Sequence, residues 1–119
     1  MLDFRSVLLS SEKQKELTDF YKQVFNKKPE MEDENYSGFM VGTGFISIGF
    51  HDKVKGENKN PERIILNFET KEVKEEFERI KTIGATVIKA PYEMGDMWIA
   101  TLADPDGNYF QLMTPWEEK

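Results

Sequence analysis

The pattern of this chain runs twice. A β-leaning segment, an amphipathic helix and a set of short strands fill residues 1–51, and the same order returns after residue 61 at an offset of about 60. In the first copy, Phe4, Val7, Leu8 and Leu9 mark a strand over 2–9. Ser10 and Ser11 follow, and Gln14 stands three after Ser11, a capping-box start for a helix. Leu17, Phe20, Tyr21, Val24 and Phe25 recur at i, i+3, i+4, i+7 and i+8, one apolar helical stripe facing a core. Pro29 disfavours helical geometry just before it, so the helix ends near 26–28. Strands are predicted at 30–33, 36–41 and 45–50, the last two joined by Gly42-Thr43-Gly44. The second copy has a strand over 63–69 and a helix capped by Thr70, striped by Val73, Phe77, Ile80 and Ile83 and closed by Gly84. Strands at 86–89, 97–102 and 108–114 complete it. Ser10 matches Thr70, Leu17 matches Phe77, Phe20 matches Ile80 and Phe4 matches Ile64. Half of a 119-residue chain cannot close a core alone, so the two βαβββ copies must pack together. The expected organisation is one domain, with module one at about 1–51, a polar linker at about 52–61 and module two at about 62–116.

Several function classes are excluded by composition. The absence of cysteine rules out disulfides and thiolate metal sites, and fits a cytoplasmic protein. Asp3, Arg5 and Ser6 break up the apolar residues of the N-terminus, which is no signal-peptide core. No stretch approaches the roughly 18 apolar residues of a membrane span. A net charge of -6, with lysines scattered among glutamates, argues against nucleic acid. No phosphate-cradling glycine loop and no nucleophile elbow is present. The acidic run Glu30, Glu32, Asp33, Glu34 lacks the spacing of a calcium loop and reads as a solvated turn.

The run Asp104-Pro105-Asp106-Gly107 has a local physical account as a strand reversal. Pro105 fixes φ, the Asp carboxylates accept nearby backbone N–H groups, and Gly107 permits positive φ. Extended through Asn108-Tyr109-Phe110-Gln111-Leu112, it resembles the DPDGN-x-x-E-L signature of the vicinal oxygen chelate superfamily, which includes glyoxalase I, bleomycin- and fosfomycin-resistance proteins and extradiol dioxygenases. Phe20-Tyr21-x-x-Val24-Phe25-Asn26 resembles that family's FY-x-x-V-L-G helix segment, and Ile83-Gly84-Ala85 its G-A step after the second helix. The resemblance implies an α+β fold in which two βαβββ modules form a curved eight-stranded mixed sheet, with helices on the convex side and a ligand cavity on the concave side. It also implies a homodimer, sometimes with modules exchanged between chains.

In the family's metal enzymes a divalent ion polarises substrate oxygens, held by His, Glu or Gln from the first and last strands of each module. Carried onto this chain, the last-strand position of module two is Gln111, an amide without charge. The first-strand position of module one falls on Ser6 or Arg5; its counterpart in module two falls near Arg63, Ile64 or Ile65. The last-strand position of module one falls near Gly49. Arginine repels a cation, and isoleucine and glycine offer no donor. One weak ligand does not make a catalytic site, which needs about three. The expectation is no metal, no cofactor and no assigned catalytic residue. His51, the lone histidine, begins the linker beside Asp52 and reads as a surface residue, though one histidine can serve as a base.

Strand alternation puts Tyr109, Gln111 and Met113 on one face and Phe110 and Leu112 on the other. The family pattern places the Gln111 face in the cavity. With Trp98 and the nearby Tyr92, Met94 and Met97, such walls suit a planar or amphipathic small molecule, though the same residues could equally fill a closed core or an interface. Arg5 or Arg63, if turned inward, would pair with an anionic group. The candidate ligand set is therefore Gln111, Tyr109, Met113, Trp98, Ser6, Arg5 and Arg63. Three functions remain open: a metal-independent binding protein that sequesters a ligand; a lyase, isomerase or dioxygenase with an atypical site; and a regulatory module whose cavity is filled by its own side chains.

Overall fold

The computed structural model describes residues 1–116. Chain order is β1 (Ser6–Ser11), α1 (Gln14–Phe25), β2 (Met31–Glu32), β3 (Tyr36–Val41), β4 (Gly44–Phe50), β5 (Leu66–Glu69), α2 (Val73–Ile83), β6 (Thr86–Met94), β7 (Met97–Ala103) and β8 (Tyr109–Met113). This is the expected α+β succession of two βαβββ modules. Hydrogen bonding groups the strands as two four-stranded mixed sheets, ordered β1-β4-β3-β2 and β5-β8-β7-β6. In each, the first strand of the module runs parallel to the last and the other pairs are antiparallel. The chain divides into two units, Met1–Gly56 and Glu57–Lys119. The polar loop between β4 and β5 spans that division, and each end is tied to its own unit. Gly56 N–H donates to Glu12 Oε1 at 2.8 Å; Asn58 N–H donates to Asp106 O at 2.8 Å and its Nδ2 to Asn108 Oδ1 at 3.0 Å.

In the first unit, α1 lays Leu17, Tyr21 and Val24 on the sheet, where Phe39 and Ile48 are fully buried. Stacked and edge-on rings link Tyr21, Phe25 and Phe39 at centroid distances of 5.3 Å. The helix ends where Asn26 takes a left-handed conformation, φ 53°, that asparagine tolerates better than most side chains. In the second unit, Phe77 and Ile80 of α2 are buried, as are Phe110, Leu102 and Leu112 of the sheet, and Gly84 closes the helix at φ 114°. The DPDGN run is the expected reversal. Buried Asp104 accepts from the N–H groups of Asp106 (2.9 Å) and Asn108 (3.0 Å) and from Asn108 Nδ2 (3.0 Å), and Gly107 sits at φ 80°.

Three strands depart from the sequence reading by three residues or more at one end. β1 begins at Ser6 because the parallel ladder with β4 begins there, Ser6 opposite Phe45; Met1, Leu2 and Phe4 stay exposed. β5 is confined to Leu66–Glu69, which leaves Arg63 and Ile64 in the preceding turn. β6 extends to Met94, through Pro91, as an edge strand with two register irregularities, a position where a missing N–H disrupts little.

The capping box does not form: Lys13 and Glu72 hold the N-cap positions and make no side-chain cap hydrogen bond, and the hydroxyl two residues earlier closes a turn instead. Ser11 Oγ accepts from Lys13 N–H at 2.9 Å, and Thr70 Oγ1 from Glu72 N–H at 3.0 Å, so Ser11, not Ser10, is the counterpart of Thr70. Gln14 does not turn back to Ser11. It is buried, and its Nε2 donates to Thr18 Oγ1 at 2.9 Å; Thr18 in turn shares a 2.8 Å hydrogen bond with Ser37 Oγ on β3. Gln14 Oε1 is buried and has no hydrogen-bond partner among the described residues.

Candidate ligand-binding site

The sheet face turned away from α2 carries the motif residues of the second unit. Register fixes which side chains share it, because directly paired residues project to the same side. Lys89 pairs with Thr101, Thr101 with Gln111, and Gln111 with Asn67. The four polar side chains therefore form one row across β6, β7, β8 and β5. Gln111 Nε2 donates to Thr101 Oγ1 at 3.1 Å, which leaves the amide oxygen of Gln111 as an acceptor and the Thr101 hydroxyl as a donor. On one side of this row lie Tyr92, Ile99 and Met113, paired in sequence, and on the other Ala103 and Tyr109. Lys89 Nζ stands 4.7 Å from the centroid of the Tyr92 ring. The arrangement is a hydrogen-bonding stripe between apolar and aromatic flanks, suited to grip a flat amphipathic molecule by polar atoms in its plane.

Of the residues expected to bind ligand, Tyr109, Gln111 and Met113 share this face, all half-buried. Trp98 does not. It precedes Ile99 on β7 and so projects to the helix side, where Lys74 Nζ sits 3.7 Å over its ring; Lys71, Val73, Lys74, Trp98 and Thr114 line a cleft of about 200 Å³ at the start of α2. Arg63 is exposed in the turn before β5. In the first unit, Ser6 is exposed and shares its face with Leu8 and Ser47, while exposed Arg5 pairs with Asp3 at 3.2 Å. Sequence reasoning missed Lys89, Thr101 and Asn67. Asn67 was legible, since it alternates with Phe68 in the RIILNFE strand; Lys89 was not, because Pro91 hides the continuation of β6.

Register relates the positions that the family resemblance carries over from one module to the other. Thr70 follows Ser11 by 59 residues, so Asn67 is the counterpart of Leu8; these pair with Gln111 and Ser47 respectively. The module-one equivalent of Gln111 is thus Ser47, not Gly49. In the first unit these positions hold the hydroxyls of Ser6 and Ser47, and in the second they hold the hydrocarbon Ile65 and the neutral amide of Gln111. Neither pair fits a divalent ion, since neither brings charge or any of the imidazole, thiolate or carboxylate groups that usually anchor one. Among the described residues, no three His, Asp or Glu side chains converge. His51 Nδ1 accepts from Lys53 N–H at 3.1 Å on the exposed loop. In the acidic run, Glu30 accepts from Lys27 Nζ (2.7 Å) and Met40 N–H (2.7 Å), and these bonds, Lys27 foremost, hold its carboxyl below the ordinary range.

The family model for a glyoxalase-like domain matches residues 6–113. The chain belongs to the glyoxalase-like domain family. Its fold recurs in a glyoxalase/bleomycin resistance protein/dioxygenase family enzyme from Burkholderia phytofirmans PsJN, with 26% identity and a TM-score of 0.76 over 95% of this chain and 98% of that one. It recurs also in a glyoxalase-related enzyme from Fulvimarina pelagi, with 15% identity and a TM-score of 0.78 over 97% and 89%. A hypothetical protein from S. aureus, SA1046, superposes with a TM-score of 0.77 at 16% identity, over 97% and 94%. No curated protein matches the sequence significantly. No helix among the described residues is long and apolar enough to cross a membrane.

Proposed function

We propose that this glyoxalase-like protein is a metal-independent small-molecule binder that sequesters an aromatic or amphipathic ligand on the open face of its second unit. The observation that carries this reading is the row Lys89, Thr101, Gln111, Asn67 between the flanks of Tyr92, Met113 and Tyr109. It offers hydrogen bonds and aromatic surface, with no imidazole, thiolate or convergent carboxylates for acid–base, nucleophilic or Lewis-acid work. The first unit supports association with a second copy of the chain. Its open sheet face exposes Leu8 (57%), Met31 (41%) and Met40 (43%), large apolar side chains that a homodimer would cover.

Native mass spectrometry of the protein as purified, then with zinc, nickel and manganese, tests all three parts. The expected outcome is a dimer without stoichiometric metal that retains or takes up an organic mass. One tightly held ion per chain would overturn metal independence; a bare monomer that no aromatic compound stabilises would overturn the rest. The Burkholderia relative, described as an enzyme, favours a second reading in which the same face turns over its ligand as a lyase, isomerase or dioxygenase. Product formed from a retained ligand would select it.

A further inference from the structure

The face just described is electrically and chemically polarised along its polar row. At the β6 edge stands Lys89, an ammonium that makes no ion pair among the described residues and touches only the Tyr92 ring, at 4.7 Å. At the opposite edge, on β5, Glu69 occupies the row of Met113, with its Oε2 accepting from Trp116 N–H at 3.1 Å. A carboxylate is therefore attracted to one edge of the face and repelled from the other. Between the two edges, the Gln111 amide is held by Thr101, so its oxygen is offered as a hydrogen-bond acceptor, and the Asn67 side chain is exposed beside it. Strands lie about 4.8 Å apart, so Lys89 on β6 and Gln111 on β8 are separated by about 10 Å of sheet. Tyr92 and Met113 on one side and Tyr109 on the other flank that row, with Thr101 and Ile99 buried as its floor between Lys89 and Gln111.

We infer that the ligand is a planar aromatic acid, oriented with its carboxylate on Lys89 and a hydroxyl donor on the amide oxygen of Gln111, and that Lys89 is the residue that selects acid over neutral ligand. The inference rests on the binding reading above and narrows it to one ligand class and one direction. The corresponding row of the first unit, Leu8, Ser47, Gly38 and Met31, carries no charge and is not a second copy of this site.

The test is an NMR titration of the full chain with 4-hydroxycinnamate and its neutral counterpart 4-hydroxycinnamamide, following backbone amides. The acid is expected to move Asn67, Lys89, Thr101 and Gln111 and to bind about ten-fold more tightly than the amide. Lys89→Gln should abolish that preference and Lys89→Arg should keep it. If acid and amide bind the face equally, or if Lys89→Gln retains the preference, the inference is overturned while the binding reading stands. If neither probe moves these residues the inference also fails, and the organic mass retained in native mass spectrometry then decides the wider reading separately.

Discussion

Thr18→Val should be far more damaging than its near-identical volume suggests. Thr18 Oγ1 accepts from Gln14 Nε2 at 2.9 Å and shares a 2.8 Å hydrogen bond with Ser37 Oγ, and all three residues are at most 5% exposed. Valine removes the hub and leaves two buried polar groups unmet, since Gln14 keeps only a marginal 3.5 Å contact to Ile48 O. Each buried unpaired group costs about 1–3 kcal/mol, so the substitution should cost about 2–4 kcal/mol. Gln14→Leu works in the opposite direction. It deletes the amide whose oxygen is already buried without a partner, and leaves the Thr18–Ser37 bond intact. The loss of one neutral hydrogen bond, about 1 kcal/mol, is offset by relief of that unpaired oxygen and by added apolar burial, so stability should hold or rise by about 1 kcal/mol. The triple variant Gln14→Leu, Thr18→Val, Ser37→Ala removes every member together and should fall within about 1 kcal/mol of the parent, because replacing all partners strands none. Urea unfolding followed by circular dichroism, with the slope checked for constancy, reads all three. If Thr18→Val is neutral, or the triple variant is as unstable as Thr18→Val alone, the coupled-network argument is wrong.

Asp104→Ala removes the acceptor of three hydrogen bonds at a buried turn and should cost about 2–4 kcal/mol by the same denaturation assay, with Asp104→Asn intermediate. Gly107→Ala should cost about 1–2 kcal/mol from φ 80° alone, since its added Cβ would meet nothing closer than 3.6 Å. Gly38→Ala acts by contact instead: its Cβ would fall 2.4 Å from the Phe45 ring, so it should destabilise by about 1–3 kcal/mol and be relieved in a Phe45→Leu background. The Arg79 fork beside Glu76, at 2.8 and 3.1 Å, lowers that carboxyl through hydrogen bonding first and charge second. A depressed carboxyl stabilises the fold above its unfolded pKa of about 4.3 and loses that contribution as pH falls through its folded value. Comparison with Arg79→Met should therefore show a difference of a few tenths of a kcal/mol at neutral pH, reduced by partial exposure, that vanishes in acid.

Duplication was the most legible property of the sequence because both helices are amphipathic and both end at a residue that accepts positive φ, Asn26 and Gly84. The DPDGN reversal was legible for the same reason, as local chemistry with a local cause. Strand edges were less so. Whether Leu2–Arg5 or Ser6–Ser11 forms the first strand depends on where β4 offers a partner, and no local pattern records that. Trp98 was assigned to the ligand wall on aromatic content alone; parity against Gln111 through the β7–β8 pairing puts it on the other side. The offset of 60 aligned Leu17 with Phe77, but the capping pairs impose 59, which aligns Leu17 with Glu76 and Thr18 with Phe77. One residue of slip turns a helical position by about 100°, and here it conceals that a buried threonine stands where the second unit has phenylalanine.

That slip matters because the corrected alignment exposes an inversion between the two copies. Under its helix, the first unit buries Gln14, Thr18 and Ser37 where the second buries Val73, Phe77 and Ala100. On the open face the order reverses: the first unit presents Leu8, Met31, Met40 and the Phe45 ring lying over Gly38, and the second presents Lys89, Thr101, Gln111 and Asn67. On that face of the second unit Lys89 and Asn67 are exposed to solvent, which meets their polar groups, while Thr101 is buried and takes the hydrogen bond of Gln111. An apolar helix packing, needing no partners, then carries the stability of the same unit. In the first unit the buried hydrogen bonds fix α1 over β3 and β4 at one register, while the other face of its sheet exposes Leu8, Met31 and Met40. The two copies thus differ in where they place polar side chains: the first buries Gln14, Thr18 and Ser37 within a helix packing otherwise made by Leu17, Tyr21, Phe39 and Ile48, and the second lays Lys89, Thr101, Gln111 and Asn67 on the face turned away from its helix.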